Sequence, residues 1–193
     1  MRIPLSRPLI LASNSPRRQQ LLAQCGFEFS IEARPTDEVF PTTMPPDEVP
    51  AYLAQKKAEQ FQYAAKDSII LCADTIVVKD DLILNKPADE TAASEMLQRL
   101  SGTTHRVVTG VCLLDGNNMT TQTDIATVTL REFSRSELDF YVKYQPPFDK
   151  AGGYGIQDWI GLIGIERIEG SYYTIMGLPT HLVYDMLRPY FIE

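Results

Sequence analysis

Two arginines at the start of a helix are the first residues in this chain that invite chemistry. Pro8–Ser13 (PLILAS) is short and apolar and gives way to Asn14, Ser15 and Pro16, after which Arg17–Gln24 (RRQQLLAQ) is made of strong helix formers and ends before Gly26. The pattern predicts strand, tight polar loop and helix, with Asn14 or Ser15 at the N-cap and Pro16 at the first helical position. A helix that opens directly from a strand offers N–H groups and the positive end of its dipole to an anion. Arg17 and Arg18 stand where acidic residues are usual, and a bound anion accounts for them. The plainer alternative is that they are solvated surface residues. Neither a Walker loop nor a dinucleotide-binding glycine pattern occurs.

Asp74 is the second such residue. Ser68–Lys79 (SIILCADTIVVK) lacks a 3.6-residue period and is apolar on both sides of Asp74, as in a strand buried on both faces. A carboxylate inside such a strand must be paired, metal-bound or tuned for chemistry, because burying it alone costs several kcal/mol, roughly. The alternative is that the strand stops near Ala73 and Asp74 caps a turn.

Around these stand lysines and one more acid. Lys86 falls just beyond a short return strand, Leu82–Leu84, where it either neutralises Asp74 or is an edge lysine. Lys56 and Lys57 lie on a helix, a position where most lysines are solvated. Glu38 lies in Ala33–Pro46, a stretch with four prolines that reads as a long surface loop. Lys150 lies in Asp149–Gln157 (DKAGGYGIQ), where glycine density suggests a sharp turn or backbone close to a ligand. Ser13, Arg17 and Arg18 at a helix start, with Glu38, Asp74, Lys57, Lys86 and Lys150, suit metal-assisted hydrolysis of a phosphoanhydride. Acids hold Mg²⁺ or Mn²⁺ or activate water, and cations neutralise phosphate. His105 and His181 are too few for a histidine metal cluster and read as structural. No G-x-S-x-G elbow is present.

The elements that must position these residues follow from pattern. A second strand is expected over Phe27–Glu32, helices over Asp47–Ala65, Asp89–Leu100, Ser134–Tyr144 and Thr180–Arg188, and strands over His105–Leu114, Asp124–Leu130 and Tyr172–Met176. With no repeat or linker, 193 residues make one α/β domain with a mixed sheet. The net charge of −7 argues against broad nucleic-acid binding while leaving room for a local cationic pocket. Cys25, Cys72 and Cys112 have no metal spacing and are expected as buried free thiols in a reducing compartment. No apolar run approaches the ~18–20 residues needed to cross a bilayer, and no signal-peptide core is visible. A cytoplasmic protein without a membrane partner is the expectation.

Seven motifs in order, LASNSPRRQQLL, LAQKKA, ADTIVV, NKP, LSGTTHRVVTGV, DKAGGYGIQ and GSYYTIMGLP, make the chain similar to the Maf family of nucleoside triphosphate pyrophosphatases. The likeness runs from about Leu9 to the last helix. It implies a single elongated two-lobed domain over residues 1–193, like the inosine-triphosphate pyrophosphatases, with a central cleft and a divalent cation. Asp74 matches the acid taken as proton acceptor, and Glu38 an acid tied to metal or water. Ser13, Arg18, Lys57 and Lys86 match residues of the phosphate cleft, which Lys150 lines. Arg17, Thr75 and Gln157 match positions tied to substrate choice. The ADT and DKAGGYGIQ motifs resemble the branch acting on dTTP and UTP rather than the 7-methyl-GTP branch. A pyrophosphatase for modified or purine nucleotides is the rival within enzymes, and a non-catalytic nucleotide-binding regulator of septum formation the rival outside them. The likeness also allows a homodimer.

Overall fold

The computed structural model describes residues 2–192. Its strands are β1 (Leu9–Leu11), β2 (Ser30–Ile31), β3 (Ile69–Lys79), β4 (Leu82–Leu84), β5 (Thr104–Asp115), β6 (Asn118–Leu130) and β7 (Ile165–Glu169). Its helices are α1 (Pro16–Gln24), α2 (Val49–Glu59), α3 (Glu90–Leu100), α4 (Arg135–Tyr144), α5 (Trp159–Gly164), α6 (Tyr172–Ile175) and α7 (Thr180–Leu187). The strands form one mixed sheet in the order β2-β1-β3-β5-β6-β7, with β4 paired to β3. β1 runs parallel to β2 and β3, whereas β4 is antiparallel to β3 and β7 to β6. This is the α/β class with a mixed sheet that the element pattern predicts.

The chain divides into two compact units. The first is Met1–Asp74, Thr109–Asp124 and Gly177–Glu193, and the second is Thr75–Val108 and Ile125–Met176. In the first, Ile10, Ile70, Cys72 and Cys112 from the strands pack with Ala54, Ala58 and Phe61. Gly110 is required there, because a Cβ on it would overlap the backbone of Pro50 and Ala51 where α2 begins. In the second, Leu97 and Leu100 of α3 pack with Val107, Val128 and Leu130 of the sheet and Leu138 and Tyr141 of α4. Cys72 and Cys112 are free and buried, Cys25 half-buried. Burial pushes the Cys72 thiol up to about 12 and Cys112 up to about 11. No helix among the described residues is long and apolar enough to cross a membrane.

Several boundaries differ from expectation for local reasons. The strand over Phe27–Glu32 shrinks to Ser30–Ile31, while Phe27 makes a single bridge to Ile3 and packs its ring against Tyr184 and Phe191. The helix over Asp47–Ala65 is α2 alone, entered through a 3₁₀ turn at Pro46–Glu48. Beyond it the chain turns to bury Phe61, and the carbonyls of Ala65 and Lys66 accept from the Arg7 guanidinium (2.9 and 2.7 Å). Tyr172–Met176, with its β-favouring side chains, is not a strand but the helical turn α6. Ser171 caps it by accepting from the Tyr173 N–H (3.2 Å), and Gly170 and Gly177, at φ 99° and 100°, reverse the chain on either side. β6 starts at Asn118 rather than Asp124, because its first half is an exposed polar arm without an apolar alternation.

His105 is 2% exposed, and its Nε2 shares a 2.7 Å hydrogen bond with the Tyr154 hydroxyl. Burial, helped by the Lys79 charge, lowers its pKa to about 4. Unfolded, the imidazole titrates near 6.5, so the stability it contributes is complete above that pH and is lost as pH falls towards 4. The wild type is expected to lose about 2 kcal/mol between pH 7 and pH 5 from this group. His105→Gln removes this component, so urea unfolding at the two pH values gives a smaller pH-dependent loss in the variant.

Candidate active site

The site in the first unit is set by where β1 stops. Its last bond to β3 runs from the Ala12 N–H to the Leu71 carbonyl (2.9 Å). Side groups and carbonyls repeat every second residue on a strand, so the Ala73 carbonyl opens on the edge that β1 has left. Arg18 fills that place. Its Nη1 donates to Ala73 O (2.8 Å) and lies 3.5 Å from Ser13 Oγ, and its Nε donates to Gly177 O (2.8 Å). Burial pulls the guanidinium below its ordinary value, and the neighbouring Asp74 charge acts against that fall.

α1 is positioned as its sequence predicts, with Ser15 at the N-cap and Pro16 leading the helix. The Ser15 hydroxyl makes no cap bond; instead the Ser15 N–H donates to Ser13 Oγ (3.2 Å), drawing the loop tight. Ser13 is buried and Arg17 half-buried beside Arg18.

Asp74 lies within β3, which continues to Lys79, so the strand does not end at Ala73. The residue is 8% exposed. Its Oδ1 accepts from Lys57 Nζ, and the same ammonium donates to Glu38 Oε1 at 3.0 Å. Lys57 is in the last turn of α2, where a cation also meets the negative helix end. Its neighbour Lys56 donates to the Val39 carbonyl (3.1 Å) and lies 3.8 Å from Asp37. The two lysines thereby fasten the segment that carries Glu38. The cation paired with Asp74 is thus Lys57, the helical lysine, where strand pairing alone pointed to Lys86.

The structure brings Ser13, Arg18, Glu38, Lys57 and Asp74 together in the first unit. The second unit carries the remaining candidates. Thr75 follows Asp74 in β3 and is half-buried, Lys86 is exposed past the end of β4, and Gln157 is exposed. Lys150 is ion-paired with Asp149 (2.7 Å) and Asp158 (3.5 Å). Asp158 escaped notice in the sequence, although an acid just before the helical run WIGLIG is a visible signal.

Glu38 and Asp74 converge on one cationic position. Among the described residues no group of three or more His, Cys, Asp or Glu could hold a metal ion. Two carboxylates fit Mg²⁺ or Mn²⁺ bound in the mode that completes its shell with waters and phosphate oxygens. They do not resemble a full protein cage.

Compared with known proteins, the chain matches the Maf-like protein family over residues 8–190. It belongs to the Maf family. A relative named dTTP/UTP pyrophosphatase in Phocaeicola vulgatus is 43% identical over 182 residues, covering 93% of this chain and 94% of that protein. One of the same name in Porphyromonas gingivalis is 44% identical over 186 residues, covering 94% of each. One in Cytophaga hutchinsonii is 40% identical over 183 residues, covering 95% of this chain and 84% of that protein.

Removing the ammonium should expose how much Asp74 depends on it. Lys57→Met leaves two carboxylates without their shared cation and is expected to cost about 3 kcal/mol. Adding Asp74→Asn to Lys57→Met should restore part of that loss. Urea unfolding of Lys57→Met, Asp74→Asn and the double variant measures the coupling, and a double-variant loss equal to the sum of the two single losses would show that there is none.

Proposed function

We propose that this protein hydrolyses nucleoside triphosphates, dTTP and UTP above others, to the monophosphate and pyrophosphate. The observation that carries this is the buried Asp74 carboxylate held by Lys57 beside Glu38 and Arg18. A buried acid is costly and the fold could be built without it, whereas two acids set among cations suit a polyanion attacked by water. The names of the relatives, each matched over most of its length, support the substrate.

In this mechanism Asp74 orients a water and accepts its proton. The water oxygen bonds to phosphorus, the α–β anhydride bond breaks, and pyrophosphate leaves with the bonding electrons. Lys57, once it turns from the carboxylates, and Arg17 oppose the charge that grows on the leaving group. Ser13 and Arg18 shape the loop under the phosphates, and the family likeness assigns Lys86 and Lys150 to phosphate binding as well. Thr75 and Gln157 offer neutral hydrogen-bonding groups suited to the edge of an uncharged pyrimidine. Glu38 and Asp74 would hold a divalent cation, Mg²⁺ or Mn²⁺, which when bound screens phosphate charge and acidifies water.

Pyrophosphate release with Mg²⁺ or Mn²⁺ from dTTP, UTP, CTP, dATP, GTP, ITP and 7-methyl-GTP tests this. Turnover should be fastest with dTTP and UTP. Asp74→Asn should lower kcat by about 10³-fold while nucleotide binding is kept or tightened, since a negative charge facing phosphate is gone. Turnover confined to 7-methyl-GTP or ITP would overturn the roles of Thr75 and Gln157. No turnover from folded, metal-supplied protein would leave a nucleotide-binding regulator in place of an enzyme.

A further inference from the structure

Asp158 has turned away from the task its position suggests. It is the N-cap of α5 with an extended backbone, and an aspartate there ordinarily accepts a hydrogen bond from the first turn. Here its side chain makes no cap bond. The Trp159 N–H at the start of the helix donates instead to Gln145 Oε1 (3.0 Å).

The carboxylate is committed elsewhere. Asp158 Oδ2 accepts from the Tyr141 hydroxyl at 2.7 Å and lies 3.5 Å from Lys150 Nζ. Tyr141 is 1% exposed in the core between α3, α4 and the sheet, so its hydroxyl is a fixed point. Burial and the bond to Asp158 push its phenol up, which keeps it a donor. The loop is shaped to admit the carboxylate: a Cβ on Gly155 would lie 2.7 Å from Asp158 Oδ2. The Asp158 N–H closes the same turn by donating to Gly155 O (3.0 Å).

Two acids therefore flank Lys150, but they are not equivalent. The side chain of Asp149 is 59% exposed and that of Asp158 is 23% exposed. Asp149 makes the shorter contact but from an exposed position that water screens, whereas Asp158 is the less exposed acid and is itself anchored by Tyr141, so it is the fixed reference for Lys150.

We infer that Asp158, anchored by Tyr141, is a positioning residue that holds Lys150 and, through its neighbour Gln157, the nucleotide-recognition loop. The inference rests on the proposed nucleotide roles of Lys150 and Gln157. It adds that their placement is fixed from within the second unit, by a carboxylate that touches no substrate. A displacement of about 1 Å in such groups costs up to about 10²-fold in catalysis, so small changes at Asp158 should be felt.

Two measurements test it on the full-length protein. The first needs no nucleotide: acylation of Lys150 by an amine-reactive ester, followed by mass spectrometry. Asp158→Ala should speed labelling of Lys150 several-fold while other lysines keep their rates. Asp158→Asn, which retains an acceptor for Tyr141 but loses the charge, should do so less. The second is steady-state turnover of dTTP, UTP and CTP. Asp158→Ala and Tyr141→Phe should raise KM about tenfold and narrow the preference for dTTP over CTP, whereas loss of folded protein alone would lower kcat and leave KM and the preference unchanged. If Asp158→Ala fails to fold, Asp158→Asn and Tyr141→Phe carry both measurements. Unchanged Lys150 labelling overturns the hold. Faster labelling with unchanged KM and preference overturns the recognition role. A wild type that hydrolyses no nucleotide overturns the proposed function, and labelling then still decides whether Asp158 holds the lysine.

Discussion

A carboxylate in the middle of a buried strand is the constraint on which the first unit depends. β3 could form a continuous apolar core strand without Asp74, and the core would be simpler for it. With Asp74 present, an ammonium must reach the strand from outside the sheet. Lys57 does so from the end of α2, and α2 can approach because Gly110 leaves room for its first turn. The same ammonium draws in Glu38, and Lys56 holds the adjoining backbone, so a proline-rich loop with little core of its own acquires a fixed place. Helix, strand and loop are thus registered by one charge.

Arg18 answers a related need. Where β1 ends, a strand carbonyl is left on an edge with no ladder partner, and a buried carbonyl without a donor costs roughly 1–3 kcal/mol. A guanidinium spreads several donors in one plane, so a single side chain meets Ala73 and Gly177 at once. A residue that resembles a phosphate ligand is therefore also a piece of the sheet. Substituting it would disturb the frame as well as the site.

Much of this was legible in the residues because it was local. The strand–loop–helix from Pro8 to Gln24 carries its own cap and proline, and the apolar run through Asp74 marked a strand whose end at Ala73 or beyond was decided only by the fold, where β3 continues to Lys79. The hairpin at Asp80–Asp81 was marked by the turn residues, both of which take positive φ. What was not legible depended on distant partners. Pairing of neighbouring strands offered Lys86 as a partner for Asp74 or as an edge lysine, but it is α2 that brings a cation, Lys57, to Asp74, a contact no local period encodes. Tyr172–Ile175 has strand-forming side chains, and only the cap at Ser171 and the flanking glycines make it helical. Asp158 went unread because Tyr141, its partner, lies on a different helix, a contact that the sequence around it does not mark.

The Arg18 bond to the Gly177 carbonyl also has a consequence for how the chain matures. The first unit opens with Met1–Asp74 but is closed by Gly177–Glu193, which follows every residue of the second unit along the chain. Its early residues must wait, with Asp74 and the surrounding apolar surface incompletely covered, until the whole of the second unit has been synthesised. Contacts so distant in sequence slow folding and lengthen the interval in which a nascent chain is open to aggregation. The second unit, by contrast, is complete at Met176 and has no such delay.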